Sequence, residues 1–408
     1  MNRTTRILST LVLVAGFLWL GTSTKFYTEA LISAFFALAL ASVLIIQFRV
    51  RPSIHDAFLV LAAAAFLAVI DFQLLHFKPA IMAWVSFVGL SSLFIFGLRT
   101  VWAAEADRRL MLLAFIPSLL FVSSEYFADD LLQWTSSIHP KVFDLYLYSF
   151  DASLHVQLPF LLGQSFARWP NLRVTGLIFY IALAIPIALV YVGRLLRIGD
   201  KAIPSFLAFL ATGPIGVLFY NLLPALGPAH LFGQNFPWAP LSITQASRLL
   251  VEQVPLTGAP NAIPSLHMAW VLLVWWYSRG LSWWERAIAF LFVFFTILAT
   301  MGTGEHYFID LVVAFPFALF IEALFAFAIP LTNARRLLAL GFGLLATLGW
   351  LLSLRYATHF FWSSPIVPWG LCAITVAFSI WMESRLRLPA DQKRIKPMAA
   401  APALETAS

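Results

Sequence analysis

Twelve separate stretches of the chain are apolar for roughly 20 residues each, and this repetition restricts the fold more than any other feature. They lie near residues 7–23, 29–48, 57–76, 80–98, 110–127, 174–193, 204–223, 263–278, 286–302, 306–329, 336–354 and 365–383. A run of that length crosses ~30 Å of hydrocarbon as a helix, and only a helix or a closed barrel satisfies its backbone polar groups there. The expected fold class is therefore all-α, a multi-pass membrane helix bundle of about 12 spans. Composition closes off the alternatives: 61% of the 408 residues are hydrophobic and 11% charged, where a soluble protein carries ~25% charged residues. Too few charges remain to build a water-facing surface, which excludes a soluble enzyme, a disordered chain or a nucleic-acid-binding domain as a description of the whole. The net charge of +7 is scattered between apolar runs, without the basic stripe that a nucleic-acid partner needs. The single cysteine, Cys372, excludes an intrachain disulfide and a cysteine-based metal site. The first run follows Arg3 and Arg6 but lacks an Ala-x-Ala-like cleavage site, so it is expected to be retained as a span.

Lysine and arginine set the orientation. With the N-terminus in the cytoplasm, nineteen fall inside, among them Arg49, Arg99, Arg109, Arg197, Arg279, Arg336 and the tail cluster Arg387, Lys393, Arg394 and Lys396. Seven fall outside: Lys25, Lys78, Lys141, Arg168, Arg173, Arg248 and Arg355. Both termini are thus expected in the cytoplasm. Two outward loops are long, near 128–173 and 224–262, and long ordered loops are more often functional than ornamental. The first contains Phe143 to Phe150, Asp151 and an apolar Leu158 to Leu162, a pattern expected of a helical segment lying on the bilayer surface. Beyond residue 384 the sequence turns charged, then Ala- and Pro-rich, and reads as a disordered cytoplasmic tail to residue 408.

Ionisable residues at or inside span ends are costly to place and are functional candidates by default. Asp71, His76, Glu125, His267, Glu305, His306, Asp310, Glu322 and His359 are of this kind. His306 and Asp310 are spaced i, i+4 and stack on one helix face, where the carboxylate is able to accept the imidazole Nδ1 proton and leave Nε2 nucleophilic. His267 follows Pro264, which suits a first helical position, and opens the eighth run. From His267 to His306 the chain crosses twice, so both imidazoles are expected at the same, extracytoplasmic face. Two histidines and a carboxylate there suit in-line phosphoryl transfer, one imidazole attacking phosphorus and the other protonating the leaving oxygen. That scheme needs no metal and no cofactor. Amides at the starts of the two helices are expected to favour a phosphate. Two other readings stay open: a polar interhelical tie, and a metal site of two histidines and one carboxylate.

Pro264-Ser265-Leu266-His267, followed by His306-Tyr307-Phe308-Ile309-Asp310, resembles the second and third motifs of the type 2 phosphatidic acid phosphatase superfamily. The similarity is greatest to its inositol phosphorylceramide synthase-like and sphingomyelin synthase-like lipid phosphotransferases. The resemblance implies a six-helix catalytic core over 110–330, preceded by four additional spans within 1–109 and followed by two within 331–383. It further implies His306 as the nucleophile of a phosphohistidine, Asp310 as its orienting partner and His267 as general acid and then base. Tyr220 to Pro228 is similar to the segment that stands in for the first motif in this branch, which makes Tyr220 and Asn221, with Ser265, candidate substrate contacts. The K-x6-R-P first motif of the soluble-substrate phosphatases is absent, Thr300 stands at their arginine position and Leu266 at the glycine of Pro-Ser-Gly-His. Loss of cationic clamps is easier to tolerate with a singly charged phosphodiester, which favours a head-group transferase over a monoester phosphatase. Arg248, the one Arg or Lys in the second long loop, is the candidate phosphate contact that remains.

The sequence-based expectation is a membrane lipid phosphotransferase of sphingolipid type, an inositolphosphotransferase, in a bacterial plasma membrane, with a phospholipid donor and a lipid acceptor as partners. A lipid phosphate phosphatase using water, a twelve-span transporter and an inactive scaffold of the same fold are the alternatives.

Overall fold

The computed structural model describes residues 2–23, 25–26, 33–75, 81–256 and 258–386, with backbone alone at 74 and 75. His76, Lys78, Arg387, Lys393, Arg394, Lys396 and the expected disordered tail from 387 lie outside the described residues. Nineteen α-helices occur among the described residues. The first five are α1 (Arg3–Gly21), α2 (Ala34–Val50), α3 (Ile54–Leu75), α4 (Ile81–Trp102) and α5 (Glu105–Tyr126). Then follow α6 (Ala128–Ile138), α7 (Asp144–Ser153), α8 (Leu158–Arg168), α9 (Pro170–Ile181), α10 (Ala184–Ile198) and α11 (Ile203–Tyr220). The second half comprises the short α12 (Pro228–Phe232) and α13 (Ile243–Ser247), α14 (Leu266–Tyr277), α15 (Trp283–Gly302), α16 (Phe308–Phe325), α17 (Ala334–Tyr356), the one-turn α18 (Thr358–Phe361) and α19 (Ile366–Leu386). The all-α, multi-pass architecture is thus present, and nine helical segments among the described residues are long and apolar enough to cross a membrane.

The expected run at 174–193 is interrupted. It forms α9 and α10, which meet at Ala182 and Leu183. Pro186 has no N–H to give the Ala182 carbonyl, which instead accepts from Ile185 at 3.0 Å, so the regular ladder breaks there.

α16 is the most enclosed long helix. It packs on α11, α14, α17 and α19, and its apolar residues are buried around most of its circumference, as suits a helix that is hydrophobic on every side. Its C-terminal carbonyls of Ala323 and Leu324 accept from Arg336 of α17 at 2.8 Å, and the same guanidinium donates to Ile329 just beyond the helix at 2.6 Å. A cation there complements the negative end of the helix dipole.

The two long connecting segments are built, not loose. Strands β1 (Lys141–Val142) and β2 (Val254–Pro255) pair antiparallel and clip one segment to the other. Helix α7 does not lie on a surface as expected: Leu147, Tyr148, Ser149, Phe150, Asp151 and Ala152 are all buried, between the bundle and α13. Its aromatic residues suggested a membrane-surface face, but Phe150 packs instead against Trp350 and Phe361 in the protein interior.

Candidate active site

The site lies where the start of α14, the start of α16 and the end of α11 meet. Ser265 is the N-cap of α14 and its hydroxyl accepts from Met268 N at 3.4 Å. Pro264 therefore precedes the cap instead of occupying the first helical position, and its peptide bond with Ile263 is cis. His267, the second residue of α14, is half-buried, and its ring stacks on Tyr180 of α9 at 3.9 Å between centroids. Phe35, from α2, closes a second side at 5.6 Å.

His306 sits in the turn between α15 and α16. Gly304 makes that turn possible: its φ is +78°, and an added Cβ would stand 2.7 Å from the Cβ of Ala229. The His306 ring is buried and contacted at both nitrogens. Nδ1 lies 2.9 Å from the carbonyl oxygen of Ala262 and 3.4 Å from Asp310 Oδ2. Nε2 lies 3.3 Å from Ser265 Oγ. A carbonyl only accepts, so Nδ1 carries the ring proton and the neutral imidazole has its lone pair at Nε2. Ser265 already accepts from Met268, which leaves its own hydrogen to point at that lone pair.

Asp310 plays a larger part than the expected partnership with Nδ1. Its Oδ2 accepts from Tyr307 N at 2.8 Å, and its backbone carbonyl accepts from Ser265 N at 3.2 Å. The nearer partner of Nδ1 is a backbone carbonyl that no motif announces. Tyr220 ends α11 and is buried, its hydroxyl within hydrogen-bond reach of Leu266 N and within electrostatic reach of Asp310 and Tyr180. The residues brought together are thus His267, His306, Asp310, Ser265 and Tyr220. Asn221 turns away: it bonds Val217 O at 2.8 Å, Thr135 Oγ1 at 3.3 Å and His139 Nε2 at 3.1 Å. Arg248 is exposed at the C-cap of the five-residue α13. Among the described residues no group of three or more His, Cys, Asp or Glu has the arrangement to hold a metal ion.

Sequence reasoning missed two carboxylates. Asp144 and Asp151, i and i+7 on α7, face the same way and are both buried. Asp151 accepts from Phe308 N at 2.7 Å and Ile309 N at 3.2 Å, the first amides of α16. Asp144 accepts from Gly227 N at 2.7 Å, from Leu226 N at 3.1 Å and from the Tyr307 hydroxyl at 3.1 Å. Burial pushes the Asp151 carboxyl well above the usual carboxylate range. Burial also raises Asp144 to about 6, against the pull of its hydrogen bonds. Their spacing was visible in the sequence, but its meaning depended on what α7 packs against. With Tyr307 N held by Asp310, the amides at the start of α16 are taken by the protein's own carboxylates and do not stand open for a phosphate, contrary to expectation.

Residues 145–324 match a family model described as the PAP2 superfamily. The matched stretch runs from within α7 nearly to the end of α16 and contains His267, His306 and Asp310. The match supports a membrane enzyme of the lipid phosphatase or phosphotransferase type, acting on membrane lipids. No curated protein and no solved structure matches the chain.

Proposed function

We propose that the protein transfers a phospho-head-group between membrane lipids through a phosphohistidine on His306, in the manner of an inositol phosphorylceramide synthase. The observation that carries this reading is the clamp on Nδ1 by Ala262 O and Asp310, which directs the imidazole lone pair to Nε2. In the first half-reaction Nε2 attacks phosphorus of the phospholipid donor. The N–P bond forms as the P–O bond to the diacylglycerol oxygen breaks, and protonated His267 supplies the proton that oxygen needs. In the second half, His267 takes the proton of a lipid hydroxyl. The hydroxyl oxygen attacks phosphorus, the P–N bond breaks and His306 is restored. Ser265 covers Nε2, so its hydroxyl must rotate aside before attack. Tyr180, stacked on His267, fixes the plane of that ring. Ser265 and Tyr220 border the reacting groups and are the proposed substrate contacts, with Asn221 and Arg248 further out. Water in place of the lipid hydroxyl would make the same site a lipid phosphatase.

The test is to incubate purified protein with phospholipid labelled in its head group, without and then with ceramide, diacylglycerol or polyprenol. Label retained on protein and released to a lipid alcohol is expected. Release only as a water-soluble phosphate would assign the phosphatase reaction, and no label on protein in the absence of acceptor, with no transfer to any of the three, would reject the mechanism. The proposed extracytoplasmic face is tested with Arg248→Cys in a Cys372→Ala background: an impermeant thiol reagent should label it in intact cells, and labelling only after permeabilisation would reverse the orientation.

A further inference from the structure

We propose that a second anion site, separate from the histidines, lies in a cavity of about 190 Å³ beside the turn that follows α11, and that it binds a phosphate-bearing group. Four parts of the chain line it: His139 and Lys141 from the first long segment, Asn221 from the turn, Gln253 from the second long segment and Arg355 from the end of α17. Arg355 is held in place. Its guanidinium lies over the Phe143 ring at 4.8 Å and reaches the Leu222 carbonyl at 3.5 Å. Among the described residues neither Lys141 nor Arg355 makes an ion pair with a carboxylate. The Asn221 amide nitrogen is committed to Val217 and Thr135, so its oxygen accepts from Nε2 of His139, and the imidazole is oriented as well.

Two cations with no carboxylate partner among the described residues, around one concavity, have the chemistry of a phosphate receptor, in which lysine and arginine bind oxyanions by charge-assisted hydrogen bonds. The volume is that of about six waters at ~30 Å³ each, enough for a phosphate and part of a head group. His267, His306 and Asp310 do not line it, yet the two sites share a wall. Pro224 O accepts from Phe143 N at 2.8 Å, Ala225 O accepts from Ala262 N at 3.0 Å, and Ala262 O holds His306. An occupant would therefore rest against the turn that helps hold the carbonyl facing Nδ1. The inference stands on this cavity alone and does not depend on the reaction assigned to His306.

The experiment uses the full chain in detergent, with Cys372→Ala and an environment-sensitive fluorophore on Gln253→Cys at the cavity mouth. It is titrated with dihexanoyl phosphatidic acid, with inorganic phosphate and with dihexanoylglycerol, which has the same chains and no phosphate. A saturable response to phosphatidic acid, absent with dihexanoylglycerol and weakened at least about tenfold by Lys141→Gln with Arg355→Gln, is expected for loss of charge-assisted contacts. Inorganic phosphate binding equally well would identify a soluble anion as sufficient, and binding at least about tenfold weaker would identify a lipid head group. Lys141→Gln alone, an exposed position with little to unfold, should also weaken binding, with unchanged thermal unfolding as the control. No saturable response, an equal response to dihexanoylglycerol, or affinity unchanged by the substitutions would overturn the proposal.

Discussion

The two ends of α15 handle charge in opposite ways. At its start Glu285 is buried and held by arginines, Arg49 of α2 at 2.7 Å and Arg197 of α10 at 3.4 Å. Nearby, Arg279 pairs with Glu383 and Arg99 with Asp56. At the other end, beyond Gly302, Asp144, Asp151 and Asp310 are buried with no lysine or arginine partner among the described residues, and backbone amides neutralise them instead. The difference separates fastening by ion pairs from the surroundings of the candidate site. The arginine–carboxylate ties join one element to another, α2 and α10 to α15 among them, whereas no lysine or arginine pairs with the three carboxylates at the site end among the described residues. In the proposed reaction the proton is carried by an imidazole, a role that a permanently charged guanidinium would not fill.

That contrast is broken most severely at His306. His306→Ala is expected to abolish head-group transfer, because no other group supplies the lone pair, while the chain still folds with a lowered unfolding midpoint, since removing the buried ring leaves a cavity. Asp310→Asn should leave a small residual rate, since Ala262 O still holds Nδ1 and the asparagine oxygen is able to accept from Tyr307. Full activity of His306→Ala would move the active site elsewhere. Next in size is Asp151→Ala, which strands two buried amides of α16. A loss of roughly 1 to 3 kcal/mol in stability is expected for groups left unsatisfied, with a marked fall in turnover as the His306 turn loosens. Arg49→Ala tests the opposite end: Glu285 is buried but keeps Arg197 and the Ser282 amide as partners, so the loss of stability should stay below the roughly 3 to 5 kcal/mol of a buried charge left wholly unpaired, with turnover hardly changed. A larger loss of turnover in Arg49→Ala than in Asp151→Ala would erase the distinction between the two ends.

The last expected effect concerns pH. Asp144 binds its proton more tightly in the folded protein, its carboxyl rising from 3.8 to about 6 through burial, with the charge of Asp310 adding to the rise. Its contribution to stability is therefore complete below about pH 4 and is lost as the pH climbs through about 6. Asp144→Asn does not titrate, so the unfolding midpoint of the variant should fall less steeply than the parent's across that window. Parallel curves would show that Asp144 is not protonated there.

The helical runs were legible because apolar length is a local property of the sequence. The neighbourhood of His267, His306, Ser265 and Tyr220 was legible because two crossings return a chain to the side it left. Asp144 and Asp151 were not, although their spacing lay in plain sight: whether a helix face meets lipid or protein is decided by a partner, here α16, more than 150 residues away. Ala262 was invisible for a different reason, since a carbonyl belongs to every residue and only the fold selects which one faces an imidazole. Asn221 shows what sequence adjacency leaves open. It adjoins Tyr220 in sequence, but the end of α11 turns the two side chains apart.

Phe35 touches the rings of both His267 and Tyr180, and it belongs to a helix outside the stretch that matches the family. A fragment trimmed to residues 145–324 would keep both histidines and the aspartate but would lose part of the enclosure around His267. The leading helices are in this sense one jamb of the doorway, and on the proposed reading the breadth of lipid alcohols admitted to the imidazole would be set partly by residues that do no chemistry.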